Sequence, residues 1–198
     1  AGIYSRIHKN VHVCRNAVDL DDWEPDPPHQ SDGILRIGFA GSWSHIHDIR
    51  DLQRAFDWAS RQKDVEVWMF GPDPEWKFPY RHVQWTSSLA AYRRAVQVLD
   101  VMVCPIRPSE WANCKSDIKA MEGVMAGAVP VVSQTEPFAP WWRDGAPCYS
   151  YGSEKDLLKT IKHLVANREE ASRTWKAAYE YVTTERNIRS TVSEWRDA

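Results

Sequence analysis

The stretch NCKSDIKAMEGVMAGAVPVVSQ, residues 113–134, decides the fold. Ile118, Met121 and Met125 recur in it at helical spacing, while Lys115, Lys119 and Glu122 fall at i, i+4 and i+7 on a neighbouring face. The pattern predicts one amphipathic helix carrying a core seam and a charged row. Gly127 is placed to end that helix in the left-handed conformation open to a residue without Cβ. Val129, Val131 and Val132 around Pro130 then supply a β-branched run suited to a strand buried on both faces. A helix feeding such a strand is half of a βαβ unit, and a ligand is expected beside it.

Working outward, residues 35–41, LRIGFAG, form a short apolar run closed by glycine, the expected first strand. Leu52, Ala55, Phe56 and Ala59 mark a helix over residues 49–60 that starts near Asp48. The connecting loop GSWSHIHD is a Gly-Ser turn without the full G-x-G-x-x-G fingerprint. Residues 65–71 read as a second strand, residues 71–80 as a Pro-rich turn, and residues 82–86 as a short third strand. A helix over 88–98 follows on Leu89, Tyr92 and Ala95. Residues 98–106, VLDVMVCPI, are the most apolar strand before the central helix and belong near the sheet centre. Residues 148–151 are a last short strand. Helices over 153–166 and 168–185 follow, and then an amphipathic terminus carrying Ile188, Val192 and Trp195. This order predicts an α/β protein: a single Rossmann-like doubly wound domain, a mainly parallel sheet of about six strands with helices on both faces.

Composition bounds the function. At 198 residues and 22.9 kDa the chain suffices for one α/β domain with a substantial core, and is too short for two Rossmann-like domains. A net charge of −2 and a pI near 6.4 give no footprint for nucleic acid or an anionic membrane. Eleven tryptophans are many for this length, so some indoles are expected to face a partner. Cys14, Cys104, Cys114 and Cys148 lie far apart, with no zinc spacing, and read as reduced, mostly buried thiols of a cytoplasmic protein. No apolar run approaches the ~20 residues needed to span a bilayer, and no signal-peptide core stands at the start. The chain begins without methionine and in mid-pattern, as an excised fragment or a processed chain does.

Asn113, Lys115, Ser116, Lys119, Glu122, Gly127, Pro130, Val131, Val132 and Ser133 form the pattern N-x-K-S-x-x-K-x-x-E-x-x-x-x-G-x-x-P-V-V-S. It resembles the donor-nucleotide segment of GT-B glycosyltransferases, closest to the bacterial group 1 type that builds surface polysaccharides. The resemblance implies that Glu122 holds the ribose hydroxyls of a nucleotide-sugar, and that amides around Ser116, Asp117 and Ile118 hold its diphosphate. The physics agrees, because a carboxylate accepts hydroxyl protons and a first helical turn offers unpaired N–H groups to an anion.

In the family an arginine and a lysine grip the diphosphate from the first loop. Here that loop offers Gly41, Ser42 and a histidine, His45 or His47. We assign His47 to the diphosphate with Gly41 and Ser42; a His45-x-His47 metal site lacks a third ligand. Lys115 either compensates phosphate charge or remains solvated, as does Lys119. Arg107, at the carboxyl end of the 98–106 strand, either supplies the missing cation or is a solvated surface arginine. The acidic residue that contacts the donor sugar in the family falls at Cys114, beside Asn113, which implies a different sugar or contact geometry. Val83 and Gln84 fall where the family's backbone reads the base.

The stretch VHVCRNAVDLDDW matches the family's V-x-V-x-x-N-G-V-D at Val11, Val13, Asn16, Val18 and Asp19, and otherwise reads as an ordinary strand and turn. The implied layout is the end of a preceding domain and a linker over 1–33, a nucleotide-sugar-binding domain over 34–186, and a C-terminal helix over 187–198. That helix packs on a partner domain or caps its own. The implied activity is transfer of a sugar from a nucleoside diphosphate sugar, UDP or GDP being the expected nucleotide, to an acceptor hydroxyl. A partner domain or subunit would supply the acceptor site and any general base; no cofactor or metal is required. The alternatives are a nucleotide-sugar-binding or assembly module without turnover of its own, and another GT-B enzyme. The latter would need a pyridoxal lysine or an acidic pair, and neither is recognisable.

Overall fold

The β-branched and aromatic runs form the six strands β1 (Leu35–Ala40), β2 (Val65–Phe70), β3 (Arg81–Val83), β4 (Val101–Cys104), β5 (Val129–Ser133) and β6 (Tyr149–Tyr151) in a computed structural model describing residues 4–23 and 32–196. The amphipathic stretches form α1 (Gln53–Ser60), α2 (Leu89–Val96), α3 (Ile118–Met125), α4 (Ala139–Trp142), α5 (Glu154–Ala166), α6 (Arg168–Glu185) and α7 (Ile188–Arg196). The strands run in the order β3-β2-β1-β4-β5-β6, and every pair is parallel. The order reverses between β1 and β4. A doubly wound sheet opens a crevice at the carboxyl ends of the strands on either side of such a point.

β4 and β5 are buried along their whole length, as strands covered by helices on both faces must be. Pro130 is tolerated inside β5 because neighbouring residues of a parallel strand bond to opposite sides. Val129 donates to Asp100 on the β4 side, so the donor Pro130 lacks would face β6, and β6 pairs only from Val131 onward. Gly127 ends α3 at φ 101°, as expected.

Three boundaries differ from expectation. β3 stops at Val83, and β4 starts at Val101 because Val98 and Leu99 close the end of α2 through hydrogen bonds to Ala95 and Val96. The central helix does not begin at residue 113. Residues Ala112–Cys114 form a 3-10 turn, Lys115 is extended, and α3 starts only at Ile118. Lys115 therefore shares no helical face with Lys119 and Glu122.

Val18 is 4% exposed and bridges to Asn187, so the segment before the sheet is fastened to the C-terminal helix. Arg15 pairs with Glu194 on the same helix. Ile188, Val192 and Trp195, at i, i+4 and i+7 of α7, stay exposed. Of the domain end and linker expected over 1–33, residues 1–3 and 24–31 lie outside the described residues.

Candidate functional site

A crevice of about 1310 Å³ opens at the carboxyl end of the sheet, beside the β1/β4 reversal. One wall is the segment entering α3: Asn113, Cys114, Lys115, Ser116, Asp117 and Ile118 all line it. The facing walls are His45 from the loop after β1, residues 136–140 leading into α4, and the arm around Asn16.

The N-terminus of α3 is anchored from two distant parts of the chain. Arg186 reaches Asp117 with two hydrogen bonds, Nη1 to Oδ2 at 2.7 Å and Nη2 to Oδ1 at 2.9 Å, and both side chains are almost fully buried. The Trp141 indole donates to the same Oδ2 at 3.0 Å. Arg186 also donates to the Asn16 carbonyl at 3.1 Å, and the Asn16 amide donates to Ser116 Oγ at 2.7 Å. Burial works against the guanidinium charge, but the Asp117 carboxylate outweighs it and raises the Arg186 pKa. Asp117 stands at the N-cap yet makes no side-chain capping hydrogen bond; its carbonyl accepts the Ala120 amide at 2.9 Å, and the Ile118 and Lys119 amides have no hydrogen-bond partner among the described residues.

In the loop after β1 the two histidines differ in placement. His47 is exposed, whereas His45 is 8% exposed and lines the crevice. His45 Nδ1 lies 2.8 Å from Asp48 Oδ2, and Lys115 Nζ lies 3.5 Å from that same oxygen. Asp48 Oδ1 accepts the Arg107 main-chain N–H at 2.9 Å. Burial opposes ionisation of Asp48, but these three partners together hold its pKa below the ordinary carboxylate value.

Of the other expected residues, Gly41 and Ser42 turn the chain out of β1 but do not line the crevice; Ser42 Oγ bonds Ser44 Oγ at 2.8 Å. The Arg107 guanidinium is engaged by Asp51, with Nη2 to Oδ1 at 2.6 Å, and Arg107 does not line the crevice. Glu122 lies one turn beyond Ile118, outside the crevice lining, and its Oε2 accepts the Tyr92 hydroxyl at 2.9 Å. Burial first, and then the Glu122 charge, push the Tyr92 pKa far up, so its hydroxyl is a permanent donor that fixes the carboxylate. The Lys119 ammonium sits over the Tyr92 ring, 5.7 Å from its centroid. Val83 ends β3, two strands from β1, with Gln84 just after it, and neither lines the crevice.

Tyr92, Asp48 and Arg186 carried no signal as site residues in the sequence. Tyr92 has helix-core spacing, and the partners of the other two are far off in the chain. No group of three or more metal-ligating side chains occurs among the described residues. The cysteines are free, but they are not mostly buried: only Cys104 is, and Cys114 is exposed. No helix among the described residues is long and apolar enough to cross a membrane.

A parallel doubly wound sheet with a crevice at its reversal, bounded by an open helix N-terminus and lysines, defines an α/β domain of the anion- and nucleotide-binding kind. A family model described as glycosyl transferase-like matches residues 50–197, and the chain belongs to that family. No match was found among curated proteins. Among solved structures, the C-terminal domain of a group 1 family glycosyl transferase, LpcC of Francisella tularensis, aligns with a TM-score of 0.70 at 13% identity, over 86% of this chain and 99% of that one. HepE of Anabaena in complex with UDP aligns at 0.70 and 10% identity, over 93% of this chain and 56% of its own. WaaG, a glycosyltransferase involved in lipopolysaccharide biosynthesis, aligns at 0.71 and 9%, over 99% and 58%. These likenesses show the GT-B C-terminal-domain fold, and this chain spans little more than half the length of HepE and WaaG.

Proposed function

We propose that the chain is the donor-binding half of a glycosyltransferase that moves a sugar from a nucleoside diphosphate sugar, UDP- or GDP-linked, to an acceptor hydroxyl. The observation that carries this reading is the open N-terminus of α3 at the carboxyl-end crevice, with Lys115, Ser116, Asp117 and Ile118 lining it. Main-chain amides and a helix dipole stabilise the diphosphate, and Lys115 adds a charge. Glu122, held by Tyr92, takes the ribose, while Asn113 and Cys114 lie towards the sugar and Val83 and Gln84 towards the base. Gly41 and Ser42 shape the first loop. Arg107 reaches the phosphates only by releasing Asp51. HepE was solved with UDP, which supports a uridine nucleotide. Family membership supports an enzyme of the glycosyl transferase class; in this reading it works in the cytoplasm without metal or cofactor, and its acceptor site and general base come from a partner domain or subunit.

A second reading is a nucleotide-sugar-binding module without turnover of its own. One experiment addresses both. Isothermal titration with UDP, GDP, ADP, CMP and dTDP should find one saturable ligand, weakened at least ~10-fold, about 1.4 kcal/mol, by Glu122→Ala. Turnover of the sugar nucleotide once the acceptor domain or subunit is added selects the transferase, and binding with no turnover even then selects the module. Binding indifferent to Glu122 removes the ribose assignment.

A further inference from the structure

We propose that His45, oriented by Asp48, binds the diphosphate of the donor only in its doubly protonated form, so that nucleotide binding takes up a proton. This deepens the nucleoside diphosphate reading and rests on it.

The geometry fixes the tautomer. Asp48 is ionised and fully engaged: Oδ1 accepts the Arg107 main-chain N–H, and Oδ2 faces both His45 Nδ1 at 2.8 Å and Lys115 Nζ at 3.5 Å. An ionised carboxylate can only accept, so Nδ1 must carry a hydrogen. The ring is further held edge-on to Phe39, with centroids 5.9 Å apart. Nε2 is then the nitrogen left for the crevice that His45 lines, and it has no protein partner among the described residues.

In the neutral ring this nitrogen carries a lone pair, which repels a phosphate oxygen. With a second proton it becomes an N–H donor on a cation, the strong arrangement for an anion. The diphosphate and the proton therefore bind together. The family pattern places permanent cations in this loop, and this chain has a titratable one.

The groups facing His45 come from four elements. Asp48 favours the proton from the same loop. Lys115, ahead of α3, opposes it across the shared oxygen. Arg107, after β4, contributes its main chain while its guanidinium stays on Asp51. Tyr151 of β6 is buried behind them, its phenol kept neutral by burial and by the neighbouring Asp51 and Asp48. The ring thus has one carboxylate in direct contact and one ammonium on the far side of that carboxylate.

The test titrates wild type and His45→Gln with inorganic pyrophosphate and with UDP, from about pH 5.5 to about pH 8.5, bracketing the ordinary imidazole pKa. Glutamine retains an N–H for Asp48, and thermal melting checks the fold. The ratio of the two affinities at each pH cancels the ligand's own titration. It should be at least ~10-fold at the acid end and fall towards one at the alkaline end, as linkage to a single proton requires. His45→Arg should bind across the whole range. A ratio that does not change with pH overturns the inference. If UDP still binds in a Glu122-dependent way in that case, the donor-site reading survives without it. If neither pyrophosphate nor UDP binds wild type, both are overturned.

Discussion

Replacing Arg186 with methionine isolates one buried carboxylate. Arg186 is 1% exposed, and its guanidinium gives Asp117 two hydrogen bonds and the Asn16 carbonyl a third. Methionine fills much of the same space but leaves Asp117, 4% exposed, with a single side-chain donor, Trp141. Removing one partner of a buried ion pair costs about 3–5 kcal/mol. Two features place this case at the lower end: the indole hydrogen bond remains, and an anion at the N-terminus of a helix gains about 0.3–1 kcal/mol from the dipole. The expected loss is therefore about 3 kcal/mol. With a urea m-value towards the upper end of the usual range, about 2.5 kcal/mol/M, the midpoint should fall by about 1 M with the slope unchanged. Adding Asp117→Leu removes the stranded charge and should recover more than half of the loss. A single variant that loses less than ~1 kcal/mol, or a double variant whose loss equals the sum of the two singles, would refute the reasoning.

The two glycines Gly71 and Gly145 both have positive φ, at 108° and 94°, but differ in surroundings. A Cβ at Gly71 would lie 1.8 Å from the Gly41 carbonyl oxygen, whereas one at Gly145 meets nothing within 4 Å. Alanine should cost about 3 kcal/mol or more at Gly71 and about 1 kcal/mol at Gly145, read as a difference in thermal or urea unfolding. In native protein at mildly alkaline pH, a maleimide should label the exposed Cys114 and spare Cys104, whose thiol burial pushes up to about 12; mass spectrometry of the peptides reports the pattern. Asp48→Asn should cost about 2 kcal/mol near neutral pH, the worth of charge-assisted hydrogen bonds. Because the folded pKa of Asp48 lies below its unfolded one, that contribution is present above the unfolded carboxylate range and is lost as pH falls through the folded value. The wild-type advantage in urea unfolding should thus shrink below about pH 4.

The periodic segments were legible in sequence because burial on a regular element leaves a pattern. The valines of β5, the Gly127 stop and the leucines of α5 each report a local geometry, and each stands where the pattern placed it. The central helix was misread at its start, because Lys115 kept helical register with Lys119 by coincidence while the chain there is a 3-10 turn followed by an extended residue. The site divided along the same line. Asn113 to Ile118 are contiguous, so a motif could find them. The contacts that hold His45 beside the crevice involve Asp48 and, through it, Lys115, which stands far along the chain; Arg186 is paired with Asp117, 69 residues away. No local pattern encodes such a pairing.

An aspartate at an N-cap ordinarily accepts a hydrogen bond from the second or third amide of its own helix. At α3 that bond is absent, and Asp117, at φ −87° and ψ 11°, lacks the extended backbone usual at an N-cap. The reason lies outside the helix: both carboxylate oxygens are held by Arg186 and Trp141, and the adjacent Ser116 hydroxyl is taken by Asn16. The side chains that could close the first turn are thereby drawn away from it. Residues from both ends of the chain thus hold in place the crevice wall built by its middle. The same arrangement explains why the loss on removing Arg186 belongs at the lower end of its range. A freed Asp117 can turn back and cap its helix, recovering stability by occupying the donors that a phosphate would use.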